Sequence, residues 1–403
     1  MKFLKSTKIK KKKILIITFV ALFISTFNII SNFFEKVILD ERQIFADFTV
    51  YRCGAITFLN NINPYKPNAL SECFNTSGAA LDFFYPPFTL KIFSIFSYIE
   101  LHNSLFLWGI IILPIFFYQI FLIHKTFFKK ENIILFLIVY LFSFGGLNFT
   151  GLLTGNITIL MYSLLGISFY YSITKKNTAL IFLVLTFMCL FKITYLVFFI
   201  LVFFINKKNF FTNAFFSLFT IIFFYFLSYL NNTKIFLDFL NHLTYLRSYE
   251  FFELYGGGFG LYSIIKEIPE IFSSGISVNY KYSFQFIWFL ICSLFMLSIF
   301  YLVIKNKQLS KTHILAICIL IITICYPLLK DYEGFLLVSS IYYLILNINW
   351  NAICKRNTEK FKYTLLFLTF AIHDKYMLFV TAMFIFFLIL YLDYKKKKIF
   401  INK

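Results

Sequence analysis

Charged residues are scarce in this sequence, and acidic residues are the scarcest. Only 14% of the 403 residues are Asp, Glu, Lys or Arg, and Asp and Glu together number 18. Soluble domains keep roughly a quarter of their residues charged. The shortage excludes an ordinary soluble protein, because 60% of the chain is hydrophobic and Phe alone occurs 61 times. One globular core cannot hide that much apolar surface from water, whereas a lipid bilayer can.

Several patterns typical of soluble enzymes are also missing. The five His residues are scattered without metal-ligand spacing. There is no Gly-x-Ser-x-Gly nucleophile elbow and no Cys-x-x-Cys pair. Gly256, Gly257 and Gly258 are not followed by Lys-Ser or Lys-Thr, so they do not form a nucleotide-binding P-loop. We therefore expect neither a metal nor another cofactor.

The apolar residues form continuous runs rather than alternating ones. In lipid, backbone polar groups must be satisfied within a helix or by closing a barrel, and continuous runs favour helices. The sequence thus predicts an all-α, polytopic membrane protein with about twelve transmembrane helices in a single domain, 1–403. The predicted spans are 14–33, 104–124, 132–146, 156–173, 178–191, 193–206, 210–230, 285–304, 313–329, 334–348, 362–373 and 376–394.

Lysine clusters between the apolar runs account for the net charge of +20. Cytoplasmic loops retain Lys and Arg, and every cluster from 10–13 to 395–398 falls on one side if the spans alternate. This predicts a cell (inner) membrane protein with both termini cytoplasmic, and it argues against nucleic acid as a partner. The segment 88–100, which carries Lys91 and Glu100, is then an interfacial or re-entrant helix rather than a span.

The loops on the opposite side are longer and chemically richer. Loops 34–87 and 231–284 lie there, and the loops of this side hold most of the acids and the clusters of Pro, Gly, Asn and Tyr. Chemistry is therefore expected on the periplasmic or extracellular face. The glycine-rich stretch 255–260 is a candidate lid or ligand-contacting turn on this face, and His373 and Asp374 form a weaker candidate of the same kind.

Asp47 is the first candidate for catalysis. It lies shortly beyond the first predicted span, where a carboxylate at the membrane surface can act as a base toward a hydroxyl that approaches from water. The alternative is an ordinary solvated loop acid. Cys53 and Cys73 share this loop, and in an oxidising compartment they can pair and staple it. Spacing alone does not fix the geometry of that disulfide.

Three further positions carry candidate binding groups. Lys192 lies between two apolar runs, where it either holds a lipid-linked phosphate or extends toward lipid head groups. Lys330 and Asp331 belong to a charged cluster that either binds phosphate or a sugar hydroxyl or is a solvated turn. Asn156, with Thr154, opens a span, where it either binds an anion or sugar or caps the helix.

These motifs, taken in order, resemble the glycosyltransferase family 87, which comprises polyprenyl-phosphate-mannose-dependent mannosyltransferases of the GT-C class. The matching motifs are Asp47-x-x-Val50-Tyr51, Asn63-Pro64-Tyr65, Tyr85-Pro86-Pro87, Gly155-Asn156, Lys192 and Pro327-Leu328-Leu329-Lys330-Asp331-Tyr332. The chain departs from the family at three points. The Gln of a Gly-Gln-x-Asn element is missing, Tyr195 stands where proline is usual, and Asp331 stands where some members have His.

The resemblance implies a GT-C-like fold with interfacial helices in the first outside loop, and an inverting hexosyltransferase. The donor would be a sugar, mannose, on a polyprenyl phosphate whose tail lies among membrane lipids, and the acceptor would be a hydroxyl of a lipid or glycan. Asp47 would deprotonate the acceptor, while Lys192 and Lys330 would stabilise the leaving phosphate. The residues implied in sugar and acceptor binding are Tyr51, Arg52, Tyr85, Asn156, Asp331 and Tyr332.

Two other functional classes stay open. A lipid-linked polysaccharide polymerase or ligase also has many spans and a large outside loop. It is expected to rely on outside arginines, and the chain has only Arg42, Arg52 and Arg247 near that face. A transporter or flippase of lipid-linked glycans is expected to place ionisable groups in mid-membrane and to show repeated halves. Neither pattern is evident in the sequence.

Overall fold

The computed structural model describes residues 20–35, 44–74, 82–129, 131–175, 178–205, 209–245, 260–263, 265, 281–306, 309–326, 330–353, 358–372, 376–395 and 398–400. Within these ranges the regular secondary structure is helical, apart from an isolated antiparallel bridge between Ile348 and Phe400. The expectation of an all-α protein is therefore confirmed.

The first half of the chain forms a series of helices of very unequal length. They are α1 Val20–Glu35, α2 Ala46–Leu59, α3 Ser71–Phe74, α4 Pro87–Phe93, α5 Leu101–Phe127, α6 Ile133–Phe142, α7 Leu147–Leu153, α8 Ile157–Lys175 and α9 Ala179–Phe191. Short 3₁₀ segments occupy Ser94–Tyr98 and Phe144–Gly146.

The second half continues in the same manner. Its helices are α10 Phe199–Ile205, α11 Phe210–Asn231, α12 Thr233–Tyr245, α13 Lys281–Lys305, α14 Lys311–Ile324, α15 Phe335–Asn347, α16 Thr358–Ala371 and α17 Tyr376–Tyr394. Further 3₁₀ segments occupy Ile193–Phe198, Asp331–Glu333 and Trp350–Ala352.

Several of these helices have the length and apolar composition of membrane spans. Among the described residues, five qualify: α5, α8, α11, α17 and the 286–305 part of α13. The pair formed by α6 and 144–153 is bent by 63° and counts as a sixth if it is one broken span. Shorter apolar helices, such as α9, α14 and α15, coincide with other predicted spans. The chain is thus a helical membrane protein, and the number of about twelve spans stays a prediction.

Local sequence signals explain several helix boundaries. Pro87 is the first residue of α4, where a backbone N–H would make no hydrogen bond within the helix, so the missing N–H of proline costs nothing. Asn132 caps α6, because its side chain accepts hydrogen bonds from two backbone N–H groups of the first turn. Ser310 caps α14 in the same way. In the predicted outside loop 34–87, α2 and α3 form short helices, and the segment 88–100 is divided between α4 and a 3₁₀ turn.

The helices cluster into two compact units, each assembled from separate stretches of sequence. Unit 1 comprises 1–41, 123–151 and 257–403, and unit 2 comprises 42–122 and 152–256. The expectation of a single domain stays a prediction.

Unit 1 is built around α15, which is buried along nearly its whole length and packs against α14 and α17. A helix that is apolar all round needs such neighbours or lipid on every side. Near their carboxyl ends, α13 and α17 are joined by an ion pair of 2.6 Å between Lys305 Nζ and Asp393 Oδ2. The Asn306 side chain donates to the other oxygen of Asp393 at 2.9 Å.

Unit 2 contains the close packing of α8 with α9 and of α9 with α11. Helices α5 and α8 approach each other closely at Gly166, where an added Cβ would lie 2.8 Å from the buried side chain of Gln119. On another side, α2 packs against α4 and the 3₁₀ turn Ser94–Tyr98. Backbone hydrogen bonds place the start of α2 beside the segment that leads into α8, and both carry candidate functional residues.

Candidate functional site

The first turn of α2 holds Asp47 through its backbone. Phe45 caps the helix in a left-handed conformation, with φ at 59°. Its N–H donates to the Leu153 carbonyl at 2.8 Å, and the Asp47 N–H donates to the Thr154 carbonyl at 2.9 Å. Two N–H groups that lack partners within α2 are thus paired with the backbone that leads into α8. Asp47 lies at the amino end of α2, where the helix dipole favours a carboxylate.

Gly155 allows this close approach of two backbones. Its φ is +67°, a conformation that favours glycine. A Cβ at this position would lie 2.7 Å from the Cβ of Phe45. The Trp108 indole N–H donates to the Gly155 carbonyl at 2.7 Å and fixes the turn from a third direction. Glycine in the Gly155-Asn156 motif is therefore required by both conformation and space.

We expect Gly155→Ala to destabilise the protein, because the left-handed conformation alone costs an alanine about 1–2 kcal/mol and the new methyl group overlaps Phe45. Gly109 is a matched control, since it lies within α5 and its added Cβ would meet the Phe45 ring at 3.3 Å. Gly109→Ala is expected to lower the melting temperature less than Gly155→Ala, because its backbone is helical and only the Phe45 ring must shift by a few tenths of an ångström. Thermal unfolding in detergent measures both variants, and equal shifts would contradict the role of Gly155.

Asn156 connects Asp47 to α8. Its side-chain N–H donates to Asp47 Oδ2 at 2.8 Å, and its side-chain oxygen accepts from the Thr158 N–H at 2.9 Å. Because helix capping engages the oxygen, the amide N–H₂ group is directed at the carboxylate. Asn156 is buried, with only 4% of its surface exposed. Asn156 therefore caps α8, which is one of the two roles considered for it, and it also orients Asp47. Its role in binding an anion or a sugar stays a prediction.

Tyr51 and Tyr85 form a buried hydroxyl pair next to this turn. Their oxygens are 2.9 Å apart, and the Ile157 N–H donates to the Tyr51 oxygen at 3.1 Å. Tyr65, from the Asn-Pro-Tyr motif, donates to the Tyr85 carbonyl at 2.6 Å. Burial raises the pKa of both Tyr51 and Tyr85, and the neighbouring Asp47 raises both further. Both phenols therefore stay protonated and neutral across the physiological range.

Lys192 approaches the same turn of α8 from the end of α9. Its backbone is extended there, and its Nζ donates to the Thr158 hydroxyl at 3.2 Å. The same Nζ lies 6.0 Å from the ring centroid of Tyr85 and 5.9 Å from that of Tyr195. Tyr195 also donates to the Thr158 hydroxyl, at 3.1 Å. An ammonium so close to two aromatic faces gains cation–π attraction in addition to the hydrogen bond.

Five of the predicted site residues thus come together within unit 2 around the start of α8, although the sequence separates them widely. They are Asp47, Tyr51, Tyr85, Asn156 and Lys192. The site also contains Trp108, Thr158 and Tyr195, none of which was predicted to belong to it. One signal was present, since Tyr195 replaces the usual proline of the resembled motif. Among the described residues, no group of three or more His, Cys, Asp or Glu side chains is positioned to hold a metal.

Two other candidates of the first loop have structural contacts of their own. The Arg52 guanidinium donates to the carbonyls of Phe96 and Ile99, at 3.1 and 2.7 Å, and ties α2 to the 3₁₀ turn. Its assignment to sugar or acceptor binding stays a prediction. Cys53 and Cys73 form a disulfide that joins α2 to α3.

The late cluster belongs to unit 1. Lys330, Asp331 and Tyr332 lie at the 3₁₀ turn before α15, where the Lys330 N–H donates to the buried Glu333 carboxylate at 3.1 Å. Their phosphate and sugar roles stay predictions. Other predicted features lie outside the described residues: Gly256, Gly257 and Gly258, His373 and Asp374, Pro327 to Leu329, Arg42, Arg247, and the lysines at 10–13.

Comparison with known proteins yields no match. No family model, no curated protein and no solved structure matches this chain. The resemblance to glycosyltransferase family 87 therefore rests on the motifs alone, and the function is argued from the chemistry of the residues around α8.

Proposed function

We propose that the protein is a membrane-embedded, inverting glycosyltransferase that moves a hexose, mannose, from a polyprenyl phosphate to an acceptor hydroxyl on the non-cytoplasmic face. One observation carries the proposal: Asp47 and Lys192 both attach to the first turn of α8, through Asn156 and Thr158 respectively. A carboxylate and an ammonium held on one helical turn supply a base and an anion-binding group, which are the two charges that this reaction needs.

In the proposed reaction, Asp47 takes the proton from the acceptor hydroxyl as the hydroxyl oxygen attacks the anomeric carbon of the sugar. The bond between that carbon and the phosphate oxygen breaks, and the polyprenyl phosphate leaves with the electron pair. Attack opposite the leaving group inverts the anomeric carbon. The hydrogen bond from Asn156 to Asp47 Oδ2 keeps the carboxylate in one orientation during this step.

Lys192 interacts with the leaving phosphate in this scheme. Negative charge grows on the phosphate as the bond breaks, and a fixed ammonium stabilises it without reorganising. Lys192 is half-buried, so water screens its charge less than that of an exposed lysine. The donor brings its own phosphate and an apolar tail that dissolves in the bilayer, so the reaction as proposed needs no nucleotide and no cofactor.

Tyr51 and Tyr85 form the polar wall of the proposed sugar site. Because burial keeps both phenols protonated, they remain hydrogen-bond donors over the working pH range. The disulfide between Cys53 and Cys73 supports a non-cytoplasmic position for α2, since disulfides persist in oxidising compartments.

The proposal is tested with the purified full-length chain in lipid nanodiscs, supplied with radiolabelled polyprenyl-phosphate-mannose and membrane lipids or oligosaccharides as acceptors. We expect release of polyprenyl phosphate together with a mannosylated product, and no transfer from a nucleotide sugar. Failure to transfer any hexose from a polyprenyl phosphate would contradict the proposal. Extension of a lipid-linked repeat would favour the polymerase, and movement of an intact lipid-linked glycan across proteoliposomes would favour the flippase.

The proposed sidedness has its own test in single-cysteine labelling. Asn60, after α2, and Glu131, between α5 and α6, are both exposed and lie in loops predicted on opposite sides. A membrane-impermeant maleimide added to intact cells is expected to label Asn60→Cys and to leave Glu131→Cys unlabelled until the membrane is opened. The wild-type chain supplies the background from native cysteines. Labelling of Glu131→Cys in intact cells would overturn the topology.

A further inference from the structure

Thr158 is a buried polar residue at the centre of the site, and the mechanism above assigns it no step of its own. Its side chain is fully buried, in the first turn of α8. Its hydroxyl oxygen accepts hydrogen bonds from both Lys192 and Tyr195, at 3.2 and 3.1 Å. Its backbone N–H donates to the side chain of Asn156.

These contacts engage both lone pairs of the Thr158 hydroxyl oxygen. A β-branched threonine has few χ1 rotamers in a helix, and hydrogen bonds from two directions select one of them, so the oxygen has a fixed position. Lysine is the opposite case, because its ammonium sits on a flexible four-carbon stem that loses rotamer entropy when it is held. A rigid acceptor at the end of this stem selects one position for the ammonium.

The same residue also links the two charged groups. Hydrogen bonds run without a break from Asp47 to the Asn156 side chain, to the Thr158 backbone, and through the Thr158 hydroxyl to Lys192. The first turn of α8 therefore fixes the positions of both the carboxylate and the ammonium. Reactions that need two groups at a set distance lose rate when either group moves by about 1 Å.

We propose that Thr158 is a positioning residue that holds the Lys192 ammonium where it binds the phosphate of a polyprenyl-phosphate donor. The inference rests on the proposed function and assigns to Thr158 no contact with the substrate. Tyr195 supports it by fixing the same oxygen from the other side.

The test compares Thr158→Val, which keeps the shape and removes the hydroxyl, with Thr158→Ser, which keeps the hydroxyl. A hydrogen bond to a charged group is worth about tenfold to a hundredfold, so Thr158→Val is expected to lower kcat/KM for polyprenyl-phosphate-mannose by that factor. Thr158→Ser is expected to stay within about threefold, because its hydroxyl restores the hydrogen bond. Tyr195→Phe keeps the Thr158 hydroxyl and removes one of the two hydrogen bonds that it accepts. Its kcat/KM is expected to fall between those of the two Thr158 variants.

A double variant separates positioning from a merely structural role. If Thr158 acts through Lys192, Thr158→Val added to Lys192→Gln causes no further loss, whereas independent effects multiply. Three results would each overturn the inference: losses that multiply in the double variant, equal losses for Thr158→Val and Thr158→Ser, or a Thr158→Val variant as active as wild type.

Binding of polyprenyl phosphate without sugar, measured on the same nanodiscs, distinguishes failure of this inference from failure of the proposed function. Suppose that wild type binds polyprenyl phosphate more than tenfold more tightly than Thr158→Val but transfers no sugar. That result contradicts the proposed glycosyltransferase function and leaves the role of Thr158 supported. Equal binding by the two, or no binding by wild type, counts against Thr158 whatever the transfer assay gives.

Discussion

Asp47→Asn is expected to lower the rate of sugar transfer by about 10²–10⁴-fold, the range for loss of a general base. The amide has the size of the carboxylate and still accepts a hydrogen bond from Asn156, so the fold and the α2–α8 contact are retained. It does not accept a proton at neutral pH, so the acceptor hydroxyl is no longer activated. Donor affinity should change little, because Asp47 acts on the acceptor. The measurement is transfer from polyprenyl-phosphate-mannose under saturating donor.

Glu72 provides a matched control for this substitution. It is an exposed acid in α3, in the same predicted outside loop. Glu72→Gln removes the same charge and is expected to leave transfer within about twofold, because exposed charges in water act weakly at a distance. Equal transfer by Asp47→Asn and wild type would remove Asp47 as the base. Equal losses in Asp47→Asn and Glu72→Gln would indicate a general effect of loop charge.

Lys192→Gln is expected to lower kcat by about 10²–10³-fold, the loss seen when one preorganised electrostatic group is removed from a transition state. Glutamine keeps a polar side chain, one bond shorter than that of lysine, but brings no charge to the leaving phosphate. Lys192→Arg should recover only part of the activity, because a planar guanidinium does not occupy the position of a compact ammonium. Lys91→Gln, at an exposed lysine of α4, is the matched control and should behave like wild type.

The separate kinetic constants decide what Lys192 does. A loss confined to kcat indicates that the ammonium acts on charge that develops as the bond to phosphate breaks. A rise in KM with unchanged kcat would show that Lys192 only binds the donor in its ground state, and the proposed role in bond breaking would be wrong. Wild-type kinetics in Lys192→Gln would remove Lys192 from the site altogether.

Helix positions were largely predictable because hydropathy is a local property. The predicted spans 156–173, 210–230 and 376–394 correspond to α8, α11 and α17 within a few residues. Hydropathy failed where the chain bends or leaves the membrane region. The predicted span 132–146 breaks after α6, where Phe144, Gly145 and Gly146 have positive φ. The glycine pair was visible in the sequence, but a glycine pair does not reveal the bend of 63°.

The loops were the least predictable part of the fold. Helix α12 lies within 231–284, a stretch predicted only as an outside loop. It packs against the first predicted outside loop through a hydrogen bond of 2.6 Å from Asn63 to Asp238 and through stacking of His242 on Phe84. Short amphipathic helices are stabilised mainly by such tertiary contacts, so their own sequence predicts them weakly.

The sequence by itself determined that this is an all-helical membrane protein, and it singled out Asp47, Asn156 and Lys192. Composition, hydropathy and the order of motifs depend on residue identity alone, which explains why both conclusions were available without coordinates. Only the tertiary structure decided that these three residues meet on one turn of α8 and that Thr158 joins them. Hydrogen bonds require atoms about 3 Å apart, and such distances between remote segments are set by the packing of α2, α8 and α9.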